Sequence, residues 1–163
     1  MTSDLSPFLL FNMEINFNPV AWVKNSRTTS LDDNWGTIIS EIILADEIPD
    51  NAFQHILDFS QLEIIYYFDK VKENKKLYVR RPRGNPDYPE MGIFAQRNKD
   101  RPNQIGLSTV ELIWHSGRSI GVRMLDAIDG TPVLDIKPVY QEFRPDIEIR
   151  QPAWVTDLMK KYF

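Results

Sequence analysis

Residues 97–108 read RNKDRPNQIGLS. Arg97, Lys99, Asp100 and Arg101 stand within five positions, and Pro102 and two amides then lead directly into an apolar strand pattern. Arg97 and Arg101 can each hold a carboxylate in a two-pronged grip. Pro102 fixes one backbone angle and removes a donor, and Gly106 allows a ligand or another backbone to come close. Two readings are open: a charged, solvated turn, or a pocket for a small zwitterionic ligand. A second cluster, LDAIDGTPVLDIKP (125–138), places Asp126, Asp129 and Asp135 within ten positions. Asp126, at a strand end, can pair with an ammonium, whereas Asp129-Gly130 is also a turn signal. A third, KVKENKKLYVRRPRG (70–84), has seven basic residues and one acidic, with Tyr78 among them. It can neutralise phosphates while an aromatic stacks on a base, or it can be a solubilising face.

Composition narrows the chemistry. The 163 residues include no cysteine and two histidines, His55 and His115. Disulfides, thiolate metal sites and a cysteine nucleophile are excluded, a histidine-based metal site within one chain is improbable, and no Ser-His-Asp order supports a hydrolase. No metal is therefore expected. The formal charge of −4 disfavours a protein that coats nucleic acid without specificity. PFLLF near the start has no basic region before it, and no apolar run approaches the ~20 residues needed to cross a bilayer. The expectation is a cytoplasmic protein with no membrane contact.

These clusters need elements to position them. EINFNPVAWVKN (14–25) alternates around Pro19 as an edge strand does. TIISEIILA (37–45) is a β-branched strand. IPDNAFQHILDF (48–59) has Pro49 and Asp50 at a helix start, with Phe53, Ile56 and Leu57 on one face. QLEIIYYFDKV (61–71) is a central strand ending in Asp69-Lys70, and the hydroxyls of Tyr66 and Tyr67 have no partner legible in the sequence. Pro82, Pro86 and Pro89 forbid regular structure over 72–90. MGIFAQ (91–96), IGLSTVELIWHS (105–116), SIGVRMLDAI (119–128) and a final segment after Asp129-Gly130 are strands, with a hairpin turn at HSGRS. QPAWVTDLMKKYF (151–163) is an amphipathic helix carrying Trp154, Leu158 and Tyr162. Hairpin-like connections without a strand–helix–strand rhythm favour a mainly β fold: a small antiparallel β-barrel with a few short helices, including a C-terminal one. Neither GxGxxG nor GxxxxGK is present. Trp35 can cover an adenine ring or fill a core.

The ordered motifs MGIFAQRNKDRPNQIGLS and LDAIDGTPVLDIKP resemble the signature of the TsaA-like family, which includes TrmO-type tRNA methyltransferases. FSQLEIIYYF and NPVAWVKNS are similar to family strands, and the resemblance covers about residues 16–143. It implies a barrel domain over 14–145, with 1–13 as a tail and 146–163 as a helical extension. It also implies S-adenosylmethionine as cofactor, a homodimer, and methylation of the exocyclic nitrogen of threonylcarbamoyl-adenosine beside the tRNA anticodon. Family cofactor contacts fall on Trp35 and Gly36, Asp69 and Lys70, Arg97, Leu107, and Arg123, Met124, Leu125 and Asp126; Arg101, Asn103 and Asp129 belong to the same motifs and would shape the same pocket. Asp126 or Asp129 is the expected proton acceptor. Lys72, Lys75, Lys76, Arg80, Arg81 and Arg83 would meet anticodon-loop phosphates. The chain departs from the family at Gln96, Gln104, the LDDNWG loop and Val139. Two other readings stand beside this one: a methyltransferase of the same fold with a small-molecule acceptor, and a non-catalytic barrel that holds a nucleotide-like ligand.

Overall fold

Alternation along the strands builds the wall of the molecule. The computed structural model describes residues 14–71 and 78–163. In β3 (Gln61–Tyr67) Leu62, Ile64 and Tyr66 point inward and are buried. In β6 (Ile105–Ser116) Gly106, Ser108 and Val110 do the same. These two strands pair from Gln61↔Glu111 to Tyr67↔Ile105, so both inward sets meet on one face. With β1 (Ala21–Lys24), β2 (Ile39–Leu44), β7 (Ser119–Arg123) and β8 (Pro132–Pro138) they close a barrel in the order β1-β2-β7-β6-β3-β8. Every pairing is antiparallel, and closure removes the exposed edges an open sheet would carry. Val23, Ile42, Leu62, Ile64, Val110, Ile120, Val122 and Val133 fill the interior. A separate two-stranded ribbon joins β4 (Val79–Arg80) to β5 (Met91–Gly92).

Two glycines make room for rings from the neighbouring strand. A Cβ on Gly106 would lie 2.3 Å from the Tyr66 ring, and one on Gly121 would lie 2.1 Å from the Trp114 ring. The space that Gly106 opens is thus taken by Tyr66, not by a ligand. The β6–β7 hairpin turns through Gly117, whose φ of +55° suits glycine.

Several expectations change. Residues 14–25 do not form an edge strand: β1 covers Ala21–Lys24 only and is paired on both sides, by β2 and β8. The helix expected over 48–59 is two 3-10 turns, Asp50–Phe53 and Ile56–Asp58, separated by His55 at φ +63°. Leu57, meant for the apolar stripe, is 57% exposed, so no continuous face exists to hold an α-helix. The strand at 91–96 stops at Gly92, and that at 119–128 stops at Arg123. Within 72–90 the prolines still admit the short β4 and a 3-10 turn at Pro82–Gly84.

The C-terminal helix forms but is shorter than expected: α1 covers Ala153–Met159, with Trp154 and Leu158 half-buried, and Tyr162 lies beyond it. It docks on the proline-rich segment: the Tyr88 hydroxyl donates to Asp157 Oδ2 at 2.7 Å, and the Tyr88 and Trp154 rings lie 6.0 Å apart. Beyond it the chain runs alongside the loop before β2. The Asn34 and Trp35 N–H groups donate to the carbonyls of Lys161 (2.8 Å) and Tyr162 (2.7 Å). Among the described residues no helix is long and apolar enough to cross a membrane, and no group of histidines and acids is placed to hold a metal. Residues 1–13, Lys72, Lys75 and Lys76 lie outside the described residues.

Candidate cofactor site

β6 is more than twice as long as β7, its partner on one side. β7 pairs with it only from Glu111↔Arg123 to Ser116↔Ser119, so residues 105–110 have β3 on one flank and no strand on the other. The barrel splits along this seam. Past Arg123 the chain turns away through Met124, at φ +69°, which buries Leu125 and presents the Asp126 carboxylate to the seam. Arg97 reaches the same place from the motif loop, and its Nη2 donates to the Leu107 carbonyl. Unpaired backbone, a guanidinium and a carboxylate therefore meet where two strands part.

Asp126 is held by hydroxyls. Oδ1 accepts from Tyr66 (2.8 Å) and from the Ser108 hydroxyl, and Oδ2 accepts from Tyr162 at 2.6 Å. The Tyr66 and Ser108 hydroxyls are themselves 3.2 Å apart. Burial first, and the negative charge of Asp126 second, raise the pKa of Tyr66 and of Tyr162 well above the ordinary phenol value. Both phenols therefore keep their protons more tightly in the fold than in the unfolded chain. That contribution to stability is complete below the ordinary phenol pKa of about 10 and declines as pH rises past it. Urea midpoints measured from about pH 9 to about pH 11 should fall more steeply for the wild type than for Tyr162→Phe, because the variant has lost one tightly held proton. Parallel slopes would show that Tyr162 does not sit on Asp126.

Asn25 ties down the polar end of the barrel beside this cluster. Its Nδ2 donates to Ser40 Oγ and to the Ala127 carbonyl, each at 2.9 Å. Its backbone N–H donates to Asp129 Oδ1 at 3.0 Å. Asp129 N–H donates to the Arg27 carbonyl, and Gly130 N–H to that of Val23. Asp129 thus has the geometry of a turn former that locks β1 to the loop before β8. Lys70 Nζ donates to its carbonyl at 2.8 Å, while Asp69 is exposed. Trp35 is 3% exposed and lies beneath Arg27, whose guanidinium is 4.2 Å from the ring centroid and also donates to the carbonyls of Asp33 and Asn34. Of its two readings, the structure favours the one in which Trp35 fills a core.

The expected contacts therefore divide. Arg97, Leu107 and Asp126 gather at the seam, Leu125 is instead fully buried in the barrel core, and Trp35 and Gly36 reach the seam through the Tyr162–Phe163 segment that lies against them. Asp69 and Lys70 stand with Asp129 at the neighbouring turn. Arg101 Nη1 donates to the Gln96 carbonyl, which braces the motif loop. Arg123 points outward and pairs with Glu111 at 3.2 Å. The described part of the basic strip is largely engaged: Arg80 with Asp100 (2.7 Å), Arg83 with Asp33 (2.7 Å) and Arg81 with the Tyr88 carbonyl.

Sequence reasoning missed Tyr66, Ser108 and Tyr162. A signal existed for the first two. The alternations Leu62–Ile64–Tyr66 and Gly106–Ser108–Val110 place two hydroxyls on the inward face of paired strands, and buried hydroxyls require a partner. No local pattern announces Tyr162, which meets Asp126 from 36 positions away.

Comparison with known proteins bears on the family and the fold. The family model for the tRNA-methyltransferase O N-terminal domain matches residues 32–144. A protein of Archaeoglobus fulgidus named S-adenosyl-L-methionine-binding protein is 34% identical over 134 residues, covering 80% of this chain and 90% of that one. A probable S-adenosyl-L-methionine-binding protein of Methanothermobacter thermautotrophicus is 36% identical, covering 80% and 94%. The mouse tRNA (adenine(37)-N6)-methyltransferase is 36% identical over 96 residues, but the match spans only 22% of its length. A crystal structure of TrmO superposes with a TM-score of 0.70 at 22% identity, covering 86% of this chain and 64% of that one, which speaks for the fold. With more than half of its residues matched by one family model and its barrel shared with that structure, the chain belongs to the tRNA-methyltransferase O N-terminal domain family.

Proposed function

We propose that this protein binds S-adenosylmethionine at the β6–β7 seam and transfers its methyl group to the exocyclic nitrogen of threonylcarbamoyl-adenosine beside the tRNA anticodon. The observation that carries the reading is the meeting of Arg97, Leu107 and Asp126 at that seam in a chain of this family. The donor set fits a zwitterionic nucleoside. Arg97 has donors beyond the one given to Leu107 and can take a carboxylate. Asp126 can take an ammonium, and the unpaired flank of residues 105–110 offers backbone groups to an adenine. When bound, S-adenosylmethionine supplies an electrophilic methyl carbon on a positively charged sulfur, which departs as a neutral thioether when the acceptor nitrogen attacks. The protein's part is alignment and exclusion of water, which can supply ~7–11 kcal/mol in favourable cases. A carboxylate at the seam can accept the proton the acceptor nitrogen sheds. Asp126 and Asp129 are the two candidates for that role, Asp126 carrying three hydroxyl hydrogen bonds and Asp129 the Asn25 N–H.

The same reading makes the protein a cytoplasmic homodimer. Ile39, Leu107 and Met124 leave apolar surface around the seam, which supports a second copy packing there. Methylated threonylcarbamoyl-adenosine, measured by mass spectrometry in tRNA from cells with and without the protein, tests the acceptor. One observation favours a small-molecule acceptor instead: Arg80, Arg81 and Arg83 are engaged within the chain. An unchanged tRNA profile would support that alternative. Arg97→Ala is expected to weaken S-adenosylmethionine binding by about tenfold or more, the worth of one charge-assisted contact, and Lys76→Ala to spare it while weakening tRNA binding. Equal effects of either variant on both ligands, by calorimetry and filter binding, would contradict this division.

A further inference from the structure

Asp126 is offered to a cation, yet the chain already covers it. The Tyr162 hydroxyl donates to Oδ2, the oxygen that neither Tyr66 nor Ser108 uses. Two backbone hydrogen bonds, Asn34 N–H to the Lys161 carbonyl and Trp35 N–H to the Tyr162 carbonyl, lay this segment along the loop before β2. The fit leaves no slack, since a Cβ on Gly36 would fall 2.5 Å from the carbonyl carbon of Phe163. Residues 161–163 therefore touch three of the positions at which the cofactor is expected: Trp35, Gly36 and Asp126. On the other side α1 anchors the segment to the body through Tyr88–Asp157.

From this geometry we infer that Tyr162 belongs to the cofactor site as an internal stand-in, whose hydroxyl holds Asp126 until the ammonium of the amino-acid end of the ligand replaces it. The inference rests on the reading of the seam as a cofactor site. A neutral phenol on a carboxylate makes a weaker hydrogen bond than an ammonium does, so the exchange runs toward the ligand. It is not free, because the two backbone bonds to Asn34 and Trp35 must also yield. The fraction of molecules with the segment displaced sets the apparent affinity, which is lower than the intrinsic one by that fraction. Phosphates, simple sugars and uncharged nucleosides have nothing with which to displace the phenol. The segment therefore selects for ligands that pair a nucleoside with a positively charged amine.

Two measurements on the full-length protein test this. Lys160 and Lys161 stand at the start of the segment, so trypsin nicking at these sites, followed by mass spectrometry, reports its release. Nicking should accelerate when S-adenosylmethionine is saturating, and it should be faster in Tyr162→Phe even without ligand. Calorimetry should show S-adenosylmethionine binding to Tyr162→Phe about tenfold more tightly than to the wild type, as expected for removing one hydrogen bond to a charged group. If the cofactor binds the wild type and leaves nicking unchanged or slower, or if Tyr162→Phe binds it equally or more weakly, Tyr162 is a wall of the site and the inference is overturned. If neither protein binds S-adenosylmethionine, the cofactor reading itself fails, while faster nicking of Tyr162→Phe would still support a detachable segment.

Discussion

Asp126→Ala is expected to lower stability by about 2–4 kcal/mol and to reduce S-adenosylmethionine binding at least 100-fold. Three hydroxyls lose their acceptor at once. Tyr66 and Ser108 retain each other at 3.2 Å, so the cost is less than three separate losses. Each hydrogen bond to a charged group contributes roughly 1.5–3 kcal/mol, and these share one carboxylate and do not add. Binding suffers more than folding because Asp126 is the acid proposed to take the ammonium. Urea denaturation and calorimetry check the two effects separately. Asp126→Asn separates them further, since the amide keeps an acceptor oxygen for the hydroxyls and lacks the charge. It should recover much of the stability and little of the binding. A variant that keeps full affinity would remove Asp126 from the site.

Gly106→Ala should be the most damaging change of a single methyl group in the barrel, at about 3 kcal/mol, the upper end of what overpacking a core costs. The new Cβ meets the Tyr66 ring at 2.3 Å. That ring is 1% exposed and fixed at its far end by Asp126 and Ser108, so it cannot swing aside without breaking the hydroxyl cluster. Gly121→Ala makes a contact that is nominally tighter, 2.1 Å to Trp114. Trp114 is 36% exposed and has room to turn outward, so the cost there should stay below about 1.5 kcal/mol. Matched urea titrations of the two variants decide the matter. Equal losses would mean that the clash distance alone sets the cost and that the anchoring of Tyr66 is irrelevant.

Both predictions rest on inward-facing positions, and those were the part of the fold most open to reading from sequence. A period of two over 61–67 and 105–116 marks strands with one buried face, and the structure pairs these two strands residue by residue. The barrel and the C-terminal helix followed from the same logic. The segment 48–59 misled because its apolar spacing suited a helix, while His55 in a left-handed conformation breaks the turn and Leu57 turns to solvent. Periodicity describes what a segment could do in isolation, whereas a short crossing between β2 and β3 needs only to cover the end of the barrel with Phe53. At the site, charge patterning singled out Arg97 and Asp126 as candidates, with a solvated turn as the other open reading, and the family resemblance joined them to a cofactor. Charge patterning could not show that three hydroxyls converge on Asp126, which depends on the course of a distant segment, nor that Arg80 and Arg83 find acidic partners 20 and 50 positions away.

The unequal lengths of β6 and β7 have a mechanical consequence. The hairpin half of β6, 112–116, pairs with β7, the half that leads in from the motif loop, 105–110, pairs with β3, and Glu111 is paired on both sides. Each half therefore hangs from one neighbour and can bend without tearing the hydrogen bonds of the other. Glu111 acts as a fulcrum between them. The half beside Arg97 and Asp126 can thus adapt to an occupant while the hairpin half keeps the wall joined to β7.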